Sequence, residues 1–141
     1  MTGIRFRAAR ILIVPFLLAL TLLACSKAQT LVKILGTWQM VNVTDVDSEI
    51  TTDWLFGVDD LMAVTEYNMF EPDSILVRYE GKYEVKVRFY KKYVEITDFT
   101  GGMTYMNDDW EIVKSNKDIL ILVSDKEGGL LIKEFTKKHF D

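Results

Sequence analysis

The chain has 141 residues, with 17 basic and 21 acidic side chains, one cysteine and one histidine. The acidic balance disfavours nucleic-acid binding, and a single cysteine excludes an intramolecular disulfide. With only one histidine, no zinc site of familiar ligand spacing can form, so neither a metal nor another cofactor is predicted.

The first 24 residues have the parts of an export signal. Arg5, Arg7 and Arg10 form a basic start, and an almost unbroken apolar run follows from Ile11 to Leu23. A run of about 13 residues spans roughly 20 Å as a helix, which is short of the ~30 Å hydrocarbon core of a bilayer. We therefore predict that residues 1–24 are a signal peptide rather than a transmembrane helix.

The sequence Leu22-Leu23-Ala24-Cys25 resembles the lipobox of bacterial lipoproteins. The resemblance implies cleavage between Ala24 and Cys25 and lipid attachment to Cys25. The alternative is an ordinary secretory signal whose cysteine is incidental. Two or three acyl chains give stable membrane attachment. Ser26 follows where an inner-membrane lipoprotein often has aspartate, which favours a lipid-anchored address in the cell envelope, at the outer membrane of a Gram-negative bacterium.

The remaining chain is predicted to form one domain. Removing Arg5, Arg7 and Arg10 from the 17 basic residues leaves 14 against 21 acidic residues, a net charge of −7. Residues 25–33 are interpreted as the lipidated cysteine and a short tether, and residues 34–141 as the folded domain. An extended tether over Ser26–Val32 would reach at most ~25 Å.

Strand signals dominate this domain. Tyr83, Val85, Val87 and Phe89 alternate with polar residues, which is the period of a half-buried strand. Similar runs are separated by short polar or glycine-containing segments, which predict hairpins. These predicted turns are Glu80–Lys82, Lys91–Lys92, Asn116–Asp118 and Gly128–Gly129. The pattern predicts an all-β fold, an antiparallel meander of about eight strands in an up-and-down barrel or strongly curved sheet.

One segment has a helical period instead. From Thr51 to Met62, apolar residues recur on one side of a helix, and Thr52 or Asp53 would cap its start. We interpret Val46–Asp60 as a long first connection that carries a short helix or lid across one end of the barrel.

The segment Ile34-Leu35-Gly36-Thr37-Trp38 resembles the start of the first strand in lipocalin-like bacterial lipoproteins. In that family a Gly-x-Trp motif closes one end of an eight-stranded barrel, with the tryptophan against a basic residue of the last strand. The resemblance assigns these roles to Gly36 and Trp38. The candidate basic partners are Lys133, Lys137 and Lys138.

The combination of a lipobox, a brief tether and Leu-Gly-Thr-Trp is also similar to small envelope lipoproteins of Bacteroidota. In that lineage, Asp73-Ser74-Ile75 resembles an O-glycosylation acceptor, which makes Ser74 a candidate modification site at an exposed turn. The alternative is a plain turn that contains Asp-Ser.

Catalytic constellations are not predicted. His139 is interpreted as a solvated tail residue. The neighbouring acids Asp59-Asp60 and Asp108-Asp109 lack the spacing of a calcium loop, and we interpret them as exposed turn carboxylates. The chain is therefore predicted not to be an enzyme.

The aromatic residues leave two functional hypotheses. In the first, a lipocalin-like cavity binds a small apolar or amphiphilic ligand at the cell envelope. Its candidate lining is Trp54, Tyr67, Tyr83, Phe89 and Trp110. In the second, the aromatics fill the barrel core, and the outer surface, with exposed aromatics such as Tyr90, recognises a partner protein of an envelope complex.

Overall fold

Eight antiparallel strands close into a barrel in the computed structural model, which describes residues 25–41, 49–126 and 128–139. The predicted signal peptide, residues 1–24, lies outside the described residues. A helix, α1, covers residues 25–34. The strands are β1 Gly36–Met40, β2 Ile50–Phe56, β3 Leu61–Asn68, β4 Glu71–Arg88, β5 Lys91–Thr97, β6 Asp108–Ser115, β7 Ile119–Lys126 and β8 Gly129–Lys137, with a 3-10 helix at Gly101–Met106.

Each strand pairs with the next in chain order, and β1 pairs with β8 to close the barrel. The predicted all-β class and antiparallel meander of about eight strands are confirmed. At one end, called the α1 end, lie α1 and the turns at residues 57–60, 89–90 and 116–118. At the other, called the far end, lie the turn at residues 69–70 and the 3-10 helix.

The predicted helix within Thr51–Met62 is wrong. This segment forms β2, a turn at residues 57–60 and the start of β3. The supposed helical stripe included Leu55, Val58 and Leu61, which the structure leaves 36%, 86% and 49% exposed. The buried residues instead recur at every second position, as Trp54 and Phe56 show. Burial of these alternate side chains in the core therefore favours a strand over a helix here.

The predicted turn at Glu80–Lys82 is also wrong, because β4 is one strand of 18 residues that runs through it. Its first part pairs with β3 and its last part, from Lys82, with β5. Gly81 allows the close approach of another segment instead of a turn: a Cβ there would lie 2.4 Å from the ring of Phe99. The next turn falls at Phe89–Tyr90, two residues before the predicted Lys91–Lys92.

The predicted extended tether over Ser26–Val32 requires correction, since these residues are helical. Seven helical residues rise only about 10 Å. Thr30 and Ile34 are fully buried, and the Thr30 hydroxyl donates to the Ser26 carbonyl over 2.8 Å. Lys27 Nζ lies 2.7 Å from Glu84 Oε1 of β4. The segment is therefore part of the folded domain and holds Cys25 close to the barrel.

Candidate functional site

The α1 end of the barrel is closed around Trp38. The indole N–H of Trp38 donates to the Ile34 carbonyl over 2.6 Å, and Trp38 is fully buried. Lys137 Nζ lies 4.8 Å from the centre of the Trp38 ring and donates to the Leu35 carbonyl over 2.6 Å. Gly36 has a φ of 111°, and a Cβ there would lie 3.2 Å from Lys137 Cε. Of the three candidate lysines, Lys137 is therefore the one that lies over Trp38.

Aromatic side chains fill the interior. The ring centre of Trp54 lies 6.0 Å from that of Trp110 and 4.7 Å from that of Phe135, and all three are at most 1% exposed. Phe56 and Tyr83 meet edge to face at 5.0 Å. Such pairs fix the rings at core packing density. Side chains therefore occupy the interior around Trp54, Phe56 and Tyr83.

The five residues predicted to line one ligand cavity do not come together. Trp54, Tyr83 and Trp110 belong to the core, whereas Phe89 lies in the β4–β5 turn and is 95% exposed. Tyr67 lies on the outer wall, where its hydroxyl meets Asp53. Neighbouring residues of a strand point to opposite faces of the sheet, and turn residues point to neither face. An aromatic residue in a strand-like run can therefore lie inside or outside the barrel, and the sequence pattern did not show which.

Tyr67 belongs to a polar cluster outside the barrel. Its hydroxyl donates to Asp53 Oδ1 over 3.2 Å, and Lys138 Nζ donates to the same hydroxyl and to Asp53 Oδ2 over 2.6 and 2.8 Å. Burial raises the pKa of Tyr67, although Lys138 opposes the rise. Burial would lower the pKa of Lys138, but its hydrogen bonds to Asp53 and Tyr67 raise it overall. The cluster links Lys138, which follows β8, to β2 and β3.

The far end is covered by the 3-10 helix. The part of the predicted lid at residues 46–48 lies outside the described residues. Met103 and Met106 of this helix are buried, and the Trp110 indole N–H donates to the Met106 carbonyl over 3.0 Å. Beneath it, Lys133 Nζ lies 5.6 Å from the Trp54 ring centre and 5.9 Å from that of Tyr105.

Lys133 has no acidic partner among the described residues. The contact found for its Nζ is with the Met40 sulfur at 3.8 Å. Burial lowers the pKa of Lys133, because the charged form is poorly solvated between aromatic rings. This amine is a feature of the far end that suits an anionic ligand.

The two predicted acidic pairs lie in different parts of the structure. Asp108 and Asp109 lie in β6, not in an exposed turn as predicted: Asp108 accepts a hydrogen bond from Ser124, and Asp109 Oδ2 lies 2.5 Å from Arg88 Nη1. Asp59 and Asp60 do lie in the turn at residues 57–60. Across the part of the chain that the structure describes, no three potential metal ligands cluster.

Tyr83 and His139 also lack a catalytic setting. The Tyr83 hydroxyl donates to the Gly57 carbonyl over 2.5 Å, and burial, with help from Asp60 and Asp59, raises its pKa to about 12. His139 is exposed beside Asp118. Within the ranges that the structure describes, neither residue is hydrogen-bonded to a serine, threonine or cysteine side chain, the arrangement typical of covalent catalysis.

The β3–β4 hairpin at the far end has apolar side chains that are exposed to solvent. Eight consecutive residues of β4, Glu71–Arg78, are exposed. The large apolar side chains exposed here, which we call the apolar ribbon, are Met69, Phe70, Ile75, Leu76 and Val77, at 53%, 72%, 58%, 51% and 37% exposure. Exposed apolar patches of this kind mark interaction surfaces in soluble domains.

The turn that presents the ribbon is held in one conformation. The Asn68 side chain accepts the Phe70 N–H over 2.8 Å, and the Met69 N–H donates to the Glu49 carbonyl over 2.7 Å. The pairing of β4 with β3 is shifted near Tyr67 and Asn68, so residues 72–74 form a bulge. Ser74 is therefore exposed within this bulge rather than in the predicted turn.

The sequence analysis did not single out Ile75-Leu76-Val77 as part of an exposed surface. Three consecutive apolar residues depart from the alternation of a half-buried strand, and that departure was the available signal.

In comparisons with known proteins, no family model, no curated protein and no solved structure matches the chain. Among the described residues, no helix combines the length and apolar character needed to cross a bilayer.

Proposed function

We propose that this chain is a lipid-anchored, non-catalytic interaction protein of the bacterial cell envelope. Its barrel is a packed scaffold, and its apolar ribbon inserts into an apolar groove of a partner protein. The observation that carries the proposal is the exposure of Phe70, Ile75 and Leu76 on a hairpin of fixed conformation. The lipobox-like sequence at Cys25 supports the anchor.

The ribbon suits side-chain contacts better than strand addition. Natural proteins protect edge strands with bulges and proline, and here residues 72–74 bulge and include Pro72. These features oppose backbone pairing with another chain, yet the neighbouring apolar side chains stay exposed. A rigid apolar hairpin loses little entropy on binding, so it is suited to filling a groove.

Burying one large side chain of the ribbon is worth about 1.5–3 kcal/mol. Phe70 is the side chain expected to dominate, since aromatic residues carry much of the energy at protein interfaces.

The test compares two double variants, each of which replaces two large exposed apolar side chains with serine. Phe70→Ser with Leu76→Ser alters the ribbon, whereas Leu130→Ser with Ile132→Ser alters exposed positions of β8. A photoreactive side chain at Ile75 in living cells should give one defined protein adduct, and its binding should be measured again with purified partner. The ribbon variant should lose binding and the β8 variant should keep it; equal binding by both would refute the role of the ribbon.

The anchor is tested separately through Cys25. The Cys25→Ser chain should incorporate no labelled fatty acid and should accumulate as unprocessed precursor. Continued labelling or normal processing would exclude the lipid anchor at Cys25, while the ribbon experiment would still stand.

A second candidate function is binding of a small anionic amphiphile at the far end. The observation that favours it is Lys133, a half-buried amine without an acidic partner among the described residues. Because the interior is filled, such a ligand would have to bind beside Tyr105 rather than deep in the barrel. Native mass spectrometry of the chain from its own envelope should show a bound small molecule that Lys133→Met loses; a bare mass for the unaltered chain would exclude this candidate.

A further inference from the structure

The turn between β4 and β5 has two fully solvated aromatic residues. Phe89 is 95% exposed and Tyr90 is 88% exposed. Phe89 also has a φ of 56°, the left-handed region where glycine is favoured and a bulky side chain is a genuine outlier. A strained aromatic residue that buries nothing within its own domain contributes little to folding, so an outlier of this kind points to function.

This turn lies at the α1 end, beside the proposed lipid anchor. The last pairing of β4 with β3 is Lys82 with Leu61, and residues 83–88 continue beyond it, paired with β5. Glu84 in this extension forms the ion pair with Lys27, two positions after Cys25. The distance along the strand from Glu84 to Phe89 is about 17 Å at most, since a strand rises about 3.4 Å per residue. Cys25 and the aromatic turn are thus fastened to the same hairpin.

Other exposed apolar residues lie at this end. Val58, in the turn after β2, is 86% exposed, and Val32, on α1, is 69% exposed. Two of the cations that flank the aromatic turn are paired, Arg88 with Asp109 and Lys91 with Glu111, and the third, Lys92, is half-buried. The two exposed side chains at the tip of the turn are therefore aromatic and uncharged.

We propose that Phe89 and Tyr90 insert into the interface of the bilayer that holds the acyl chains of Cys25. This inference rests on the anchor in the proposed function and goes beyond the role of the ribbon. Tyr90 suits the membrane–water interface, where its apolar ring and its hydroxyl are both solvated favourably, and the Phe89 ring adds apolar burial. Two contacts, the lipid and the aromatic turn, would fix the orientation of the barrel, with the apolar ribbon pointing away from the membrane.

The uncharged character of the two exposed rings makes the inference specific. Insertion should depend on apolar burial, so it should change little between vesicles of neutral lipid and vesicles with added anionic lipid. A surface that bound by charge alone would respond strongly to anionic lipid and to salt.

The experiment uses the acylated protein in lipid vesicles. Cys25 is the only cysteine of the chain and is blocked by acylation, so a single introduced cysteine can be labelled selectively. A fluorophore at Phe89→Cys is compared with one at Phe70→Cys, an exposed aromatic position at the far end. Nitroxide-bearing lipids should quench position 89 several-fold more than position 70, and similarly in neutral and anionic vesicles.

A second variant separates membrane contact from folding. Phe89→Gly relieves the left-handed strain, so its urea midpoint should equal or exceed that of the unaltered protein. In the same variant, a fluorophore at Tyr90→Cys should lose quenching by the lipid nitroxides. A stable Phe89→Gly protein whose Tyr90 label is quenched as before would overturn the role of Phe89.

The remaining outcomes also decide the matter. Co-flotation with vesicles reports the acyl anchor independently of the labels, and failure to float would refute the anchor and the inference together. Flotation with equal quenching at positions 89 and 70 would overturn the inference alone. If position 89 cross-links to a protein in native envelopes and is not quenched in vesicles, the inference is overturned, because this turn then contacts a protein partner rather than lipid.

Discussion

The contact between Gly81 and Phe99 gives the sharpest test of the fold. In a Gly81→Ala protein the new Cβ would lie 2.4 Å from two carbons of the Phe99 ring and 2.8 Å from the Thr97 carbonyl oxygen. The ring is 2% exposed and the carbonyl belongs to the backbone, so neither can easily move. Overpacking of this kind costs about 1–3 kcal/mol. The domain should remain folded, because single domains are stable by about 5–15 kcal/mol.

Urea unfolding followed by tryptophan fluorescence measures this cost, since Trp38, Trp54 and Trp110 are all buried. A double-mutant cycle with Phe99→Leu then identifies the clash. With the smaller side chain, Gly81→Ala should cost about 1 kcal/mol less than in the unaltered protein, and the contact with the Thr97 carbonyl explains why rescue is partial.

Gly102→Ala is the matched control for this cycle. A Cβ at Gly102 meets nothing within 4 Å, so its effect should stay within about 0.5 kcal/mol. Strictly additive costs for Gly81→Ala and Phe99→Leu would refute the close packing of these two residues.

Three further predictions concern the barrel. Trp38→Phe should cost about 1–3 kcal/mol in urea unfolding, because the buried Ile34 carbonyl loses its donor, whereas Trp38→Ala should cost about 3–5 kcal/mol; a Trp38→Phe cost near zero would contradict this role of the indole N–H. Burial raises the pKa of Tyr83 from 10.0 to about 12, so the unfolded chain ionises first. The stability that this tyrosine contributes is complete below pH 10 and is lost as the pH rises towards 12, and Tyr83→Phe should flatten that part of the fall in the urea midpoint. Lys138→Met should cost about 1–2 kcal/mol, since the Asp53 carboxylate loses a charged donor, and a loss near zero would show that the cluster does not stabilise the chain end.

The fold class could be predicted from the sequence because strand alternation is a local property. Tyr83 and Val85 alternate with polar neighbours, and the structure buries both. The errors arose where one pattern fits two structures. Leu55, Val58 and Leu61 fit a helical stripe, but the segment is a hairpin whose turn exposes Val58. Gly81 fits a turn, and its use as a contact surface for Phe99 depends on a residue that is remote in the sequence.

The sites were less predictable, because they depend on which side of the barrel a residue faces. Lys137 was one of three candidates for the partner of Trp38, and the register between β1 and β8 places it there. Phe89 was grouped with the interior aromatics, since the turn was expected two residues later. A shift of this size moves a side chain from the core to the tip of a hairpin. The polar cluster around Tyr67 joins β2, β3 and the residues after β8, which no local pattern could reveal.

Closure of the barrel has a consequence for the order of folding. Most pairings join neighbouring strands through short turns, and local contacts of this kind form early. The β1–β8 pairing instead joins the two ends of the domain, where Trp38 lies opposite Lys137. In the export that we propose, the amino terminus crosses the membrane first, so α1 and β1 arrive before the last strand. Until β8 arrives, β1 has an open edge that proteases and other chains can reach. Pairing of β8 then places Lys137 over the Trp38 ring and against the Leu35 carbonyl, so one residue marks the change from an open sheet to a closed barrel.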